Sequence, residues 1–343
     1  MNAPPAGRRD RGTGKRGKTR AESGNRRRRA FRAHLGRSRR ARAESRRRRR
    51  GGKRHPVRYA ERSRGRFPGH SAAYENGYRH GLYDGGERLL EQLLPGDAII
   101  PGITLGEVLE AGVEAVRHRA VPVMGPAQVH AELEAALRER RPFSLVRLGD
   151  GELLVLAQDL VMPAKEVKRA GPFLPNAGVR VPDLRARDEV AETMKRASIV
   201  GVPLSRKPHF QPLLFAVWQA HGMDPRSLRL TTSTINFALY EQGWLFPMLA
   251  GWRVLLVGNT AGMLSRRMTE CGVTVVGAVH PVRGFDDIPR VLAEAAAVDF
   301  DIALVSAGIP AVPICVRLSE ITGKVSLDFG HLADMLAGLK TCP

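Results

Sequence analysis

The segment Phe143-Ser144-Leu145-Val146-Arg147-Leu148 holds a single charge among apolar, β-prone residues and breaks sharply on Gly149. A short apolar run without polar alternation reads as a strand buried on both faces, the condition of strands inside a parallel sheet. Two carboxylates follow at once, Asp150 and Glu152, with Gly151 between them, and Leu153-Leu154-Val155-Leu156-Ala157 then reads as a helix. The acids are thereby expected in the turn at the carboxyl end of a strand, where open α/β sheets bind their ligands. Gly149 and Gly151 would let the backbone turn tightly and approach a ligand closely. Paired hard oxygens on such a turn suit a divalent cation that also meets phosphate oxygens. The competing reading makes Asp150 a helix N-cap and Glu152 a first-turn acid favoured by the helix dipole.

Downstream, strands and helices alternate. Strands are expected over 197–204, 228–232, 252–258, 273–279, 300–306 and 325–328, and helices over 210–221, 235–242, 261–271, 289–298, 312–321 and 331–339. Helix 127–138, with Val129, Leu133 and Leu137 on one face, leads into the first strand. This alternation predicts an α/β fold: a Rossmann-like parallel sheet with helices on both faces, occupying residues 127–343.

The 343-residue chain carries a formal net charge of +21, but residues 1–66 hold 27 of the 55 Lys and Arg and only 4 of the 34 Asp and Glu. That segment has a net charge of +23, and the remainder, with 28 basic and 30 acidic residues, has −2. Runs such as Arg26–Arg29 and Arg46–Arg50, with few apolar residues, cannot bury enough surface to offset ordering entropy. Residues 1–70 are therefore expected to be a disordered basic tail with sequence-independent affinity for polyanions. The alternative is an extension created by the assumed start, although no Met lies between Met1 and Met124 to begin a shorter chain. Residues 71–126 read as a helical leader and linker, in which Tyr74, Tyr78 and Tyr83 alternate with Gly77, Gly81 and Gly85. That pattern suits helix packing or self-association into a homo-oligomer. Neither a secretory signal nor an apolar run long enough to span a bilayer is evident. Cys271, Cys315 and Cys342 lack paired spacing, which argues against a structural zinc site and fits a cytoplasmic protein.

In a parallel sheet the strand ends carry the chemistry, and here each is polar. The second expected strand ends in Ser205-Arg206-Lys207, suited to phosphate, and the third in Thr231–Thr234, with Asn236 beyond. The fourth ends in Gly258-Asn259-Thr260, opening a helix whose free N–H groups suit an anion. Later ends bring His280 and Arg283, Ser306 and Gly308, and Asp328 with His331. Each taken alone also fits an ordinary cap or a solvated side chain. Gly258-Asn-Thr-Ala-Gly262 is not a dinucleotide fingerprint, and no acid ends the next strand to take a ribose.

The hexapeptide Arg147-Leu148-Gly149-Asp150-Gly151-Glu152, opening a Rossmann-like domain, resembles that of the GT-D fold glycosyltransferases, a bacterial group. Three further stretches look similar: Thr232–Leu239, Leu255–Asn259 and Ser326–His331. The resemblance covers about residues 127–338 and implies that Asp150 and Glu152 serve a divalent metal, manganese or magnesium, holding the diphosphate of a UDP-sugar. It implies a nucleotide-sugar donor and a glycan or glycoprotein acceptor. The leader also resembles that of some Gram-positive members, whereas the arginine tail departs from the pattern. Chemistry of this kind requires the leaving diphosphate to be neutralised, so Arg147, Arg206 and Lys207 become candidate phosphate cations. Gly149, Gly151, Ser205, Asn236, Gly258, Asn259, Ser306 and Gly308 are the remaining candidates for substrate binding. A base must take the acceptor proton if the reaction inverts, and Asp328 and His331 are nominated. The alternative from another class is a non-catalytic nucleotide- or polyanion-binding protein working through its basic arm.

Overall fold

The computed structural model describes residues 72–338, and the chain divides into two units at Pro101/Gly102. The basic tail lies outside the described residues. In the first unit, helix α1 (Ala72–Leu82) runs through a π-helical turn, Tyr83–Glu87, into α2 (Arg88–Leu93). The wide turn falls on Gly85-Gly86, where the backbone has no Cβ to resist it. The Tyr83 hydroxyl donates to Glu91 across this turn at 2.6 Å.

The second unit begins with α3 (Leu105–Ala115), started by a capping box in which Thr104 and Glu107 satisfy one another's backbone N–H groups. A sheet of eight parallel strands follows: β1 (Val123–Met124), β2 (Phe143–Arg147), β3 (Ile199–Val202), β4 (Leu230–Thr232), β5 (Arg253–Gly258), β6 (Thr274–Val279), β7 (Ile302–Ser306) and β8 (Val325–Asp328). Their spatial order is β1-β4-β3-β2-β8-β7-β5-β6. The connecting helices are α4 (Pro126–Glu139), α5 (Asp150–Ala157), α6 (Ala164–Ala170), α7 (Leu184–Met194), α8 (Gln211–Ala220), α9 (Ile235–Glu241), α10 (Leu245–Leu249), α11 (Ala261–Glu270), α12 (Ile288–Ala296), α13 (Ala311–Thr322) and α14 (Leu332–Ala337).

The predicted α/β architecture with helices on both faces is what the chain adopts. Alternate strand residues feed two separate cores. Phe143, Leu145, Val254, Leu256, Ile302, Leu304, Val325 and Leu327 pack under α4, α9, α10, α11 and α14. Val146, Leu255, Val257, Ala303 and Val305 pack under α5, α7, α8, α12 and α13. Crossovers that move toward β1 run over the second face, and those that move toward β6 run over the first, so all share one hand. The chain therefore leaves β2 over one face and its neighbour β8 over the other. That divergence opens a crevice at the carboxyl ends of these two strands.

The structure departs from the sequence reading in several places, and the short helix α10 (Leu245–Leu249), where no helix was expected, is one of them. Helix α5 starts at Asp150 itself, so the two acids occupy its first turn rather than a preceding loop. Between Ala157 and Ile199 two helices appear where none was assigned, together with a 3-10 turn at Leu174–Ala177. Val123–Met124, read as a break, adds a short edge strand beside β4.

Candidate active site

The crevice is built around Arg147. Its backbone N–H donates to Asp328 Oδ2 at 3.2 Å and its Nη2 to Oδ1 at 2.9 Å, while Nε donates to the Asp328 carbonyl at 3.0 Å. Nη1 donates to the Ser233 carbonyl at 3.0 Å and to Asn236 Oδ1 at 3.3 Å. Asn236, fully buried at the start of α9, completes the network by donating its amide to the Phe329 carbonyl at 2.8 Å. The Arg147 and Asp328 side chains are only 15% and 5% exposed, so this ion pair sits in the protein and not on its surface. Burial pushes the Asp328 carboxyl up, and the charge and hydrogen bonds of Arg147 oppose that shift.

Above this network lies the acidic turn. Gly149 is the N-cap residue of α5, and Glu152 at the third helical position reaches back so that its Oε2 accepts the Gly149 N–H at 2.7 Å. That is one half of a capping box, and it fixes the Glu152 carboxylate over the helix start. Burial pushes the Glu152 carboxyl up to about 7, the negative charge of Asp328 adding to the effect, against the backbone N–H groups and Arg147. Some of its surface still faces solvent, so the group is enclosed without being sealed. Asp150 is exposed, with Oδ1 accepting the Gly151 N–H at 3.0 Å. Of the competing reading, Glu152 is a first-turn acid as expected, but the N-cap is Gly149 and not Asp150; both acids lie at the carboxyl end of β2.

The other nominated residues fall into two groups on the same sheet edge. Gly258, Asn259, Ser306 and Gly308 lie together at the ends of β5 and β7, with Gly258 buried, Ser306 half-buried and Asn259 and Gly308 exposed. The Asn259 amide donates to the Val282 carbonyl and its oxygen accepts the Val282 N–H, both at 2.8 Å, which knits the loops after β5 and β6 together. Ser306 Oγ donates to the Val257 carbonyl at 3.3 Å, and beside Gly308 the Ile309 N–H donates to Ala177 at 3.0 Å. The second group is the loop after β3. Ser205, Arg206, Lys207 and His209 are exposed there. Ser205 Oγ accepts the Lys207 N–H at 3.3 Å, Arg206 donates to Gln211 at 3.3 Å, and its guanidinium lies 5.8 Å from the Phe215 ring centre. His331 is exposed at the start of α14, within electrostatic reach of Asp328.

Phe173 was not singled out from the sequence. Its ring, 38% exposed, stands 3.4 Å from where a Cβ on Gly151 would lie, so it walls the acidic turn. Its only sequence signal is a lone aromatic between Gly171-Pro172 and Leu174-Pro175. Two open pockets lie at the opposite edge of the sheet, one lined by Val298, Phe300, Ile321 and Lys324, and neither touches these groups. The candidate site is the open crevice, where the strand ends bring charged and polar side chains together.

Residues 124–336 match the model of the GT-D fold-like domain, which is more than half of the chain. The chain belongs to the GT-D-like family. Within this GT-D-like domain the matched span begins at β1 and ends in α14, so it takes in the whole sheet and the crevice. No curated protein matches the sequence. Among solved structures the chain is similar to one described as "The highly conserved domain of unknown function 1792 has a distinct glycosyltransferase fold". The identity is 14%, the TM-score 0.42, and the match covers 60% of this chain and 77% of that one. Among the described residues no helix is long and apolar enough to cross a membrane.

Whether the acidic turn suits a divalent metal can be judged from its donors. Among the described residues no three His, Cys, Asp or Glu side chains converge, so these residues offer no complete cage. Two carboxylates on one helical turn do fit an ion whose other ligands are phosphate oxygens and water.

Proposed function

We propose that this GT-D-like protein is a metal-dependent glycosyltransferase that moves a sugar from a nucleotide sugar, a UDP-sugar in our reading, to a glycan or glycoprotein acceptor. The observation that carries the reading is the position of Asp150 and Glu152, at the carboxyl end of β2 where β2 and β8 diverge, in a chain of this family. Asp150 and Glu152 would hold manganese or magnesium, which when bound neutralises charge on the leaving diphosphate. Arg206 and Lys207, exposed across the same edge, supply further positive charge to the phosphates. Phe173 keeps one wall of the turn apolar and offers a flat face to a ring of the donor. For proton removal from the acceptor, His331 is better placed than Asp328. Both Asp328 oxygens already accept hydrogen bonds from Arg147, while His331 faces solvent.

The test is a screen of UDP-, GDP- and CMP-sugars for binding and nucleotide release, with and without manganese. Manganese-dependent UDP release is expected. Binding of nucleotide without turnover of any sugar donor would favour the non-catalytic alternative.

A further inference from the structure

Arginine offers five N–H donors in a fixed plane, and four of those on Arg147 are committed within the protein. Its partners come from three elements beyond its own strand: the end of β8, the turn after β4 and the start of α9. Gly330 explains how the side chain fits. Its φ is +50°, and a Cβ added there would lie 1.8 Å from Arg147 Nη2, so any side chain at 330 would displace the guanidinium. Gly201 on β3 also lies close, with an added Cβ 3.1 Å from Arg147 Cγ, a milder crowding than at Gly330. The guanidinium is thus enclosed by β3, β4, β8 and the loop beyond β8.

We infer that Arg147 is a positioning residue and not a phosphate ligand: it fixes the acidic turn after β2 relative to the Gly330-His331 loop after β8. Three facts support this. The side chain is 15% exposed, its acceptors are protein oxygens, and its backbone N–H and guanidinium grip the same carboxylate from two directions. A donor phosphate could take more than the one remaining N–H only by displacing these bonds, each charge-assisted or buried. The role rests on the glycosyltransferase reading for its catalytic consequence, but the positioning can be read without any substrate.

The experiment uses the full-length protein carrying Arg147→Lys, which keeps the charge but cannot span the four acceptors with a planar fork. The first measurement is UDP affinity by calorimetry together with kcat and KM for the sugar donor. Positioning predicts a UDP Kd and donor KM within about twofold of the unaltered protein and a kcat lowered about tenfold or more. A Kd raised about tenfold with kcat retained would make Arg147 a phosphate ligand and overturn the inference. The second measurement, amide hydrogen exchange in the absence of nucleotide, separates this claim from the enzymatic one. Positioning predicts faster exchange in both segments, 148–152 and 329–332, with the rest of the sheet unchanged. Unchanged exchange in either segment would overturn it, whether or not the protein turns over UDP-sugars.

Discussion

Arg147 and Arg206 carry the same charge on the same sheet edge, and their surroundings are opposite. Arg147 is enclosed, paired with Asp328 and hydrogen-bonded to three elements. Arg206 is exposed, with one hydrogen bond to Gln211 and a loose approach to Phe215. A guanidinium whose donors are satisfied by the protein holds architecture in place, whereas one that keeps most of its donors free can answer an incoming anion. The difference separates the inner part of the crevice, which sets geometry, from its rim, which can meet phosphate.

The largest expected effect comes from breaking the inner pair. Asp328→Ala leaves Arg147 charged and buried with its principal acceptor gone, which costs about 3–5 kcal/mol. Arg206→Ala, on the exposed loop, should stay within about 0.5 kcal/mol of the parent. Urea denaturation of the two variants side by side checks this, and comparable losses would erase the distinction.

Ligand binding should reverse the ranking. Arg206→Ala is expected to weaken UDP binding by about tenfold or more, since a hydrogen bond to a charged group contributes about 1.5–3 kcal/mol. The loss should shrink as salt rises, because the contact is exposed. Affinity unchanged at low salt would return Arg206 to the solvated surface.

A smaller effect is written into pH. Glu152 titrates near 7 in the folded protein, against an ordinary value of 4.5, so the folded state binds its proton more tightly than the unfolded chain does. Its contribution to stability is complete below about pH 4.5 and is lost as pH rises through about 7. Metal-free protein should therefore become less stable across that window. Glu152→Gln, which cannot titrate, should flatten the slope, and a slope that survives the substitution would assign it to another group, such as Asp328, whose carboxyl is also raised.

The same division between inner and outer parts explains what the sequence disclosed. The apolar runs of β2, β5 and β7 announced a parallel sheet because both of their faces are buried. The strand-end rule then brought Asp150, Arg206, Asn236, Asn259, Asp328 and His331 to one edge. The pairing of Arg147 with Asp328 spans 181 positions and leaves no local pattern to read. The start of α5 was misplaced because its N-cap is Gly149: a capping box is recognised by a Ser or Thr, and here only Glu152 supplies a side chain. Helices α6 and α7 went unassigned because Lys165, Glu166, Lys168 and Arg169, then Arg185, Arg187, Asp188 and Glu189, crowd the apolar positions that would mark a buried face. Strand β1 is two residues long and has no periodicity to detect.

The central claim is that the acidic turn serves glycosyl transfer and not only the start of a helix. Glu152→Gln tests it most directly, because the amide keeps the size of the side chain and can still accept the Gly149 N–H, while the charge is lost. The measurement is UDP release from a UDP-sugar with manganese present, repeated after chelation, alongside a thermal melt to establish that the variant folds. The account predicts a folded variant whose turnover falls by at least about a hundredfold, and parent activity abolished by the chelator. Near-normal turnover by Glu152→Gln, or parent activity indifferent to chelation, would contradict it.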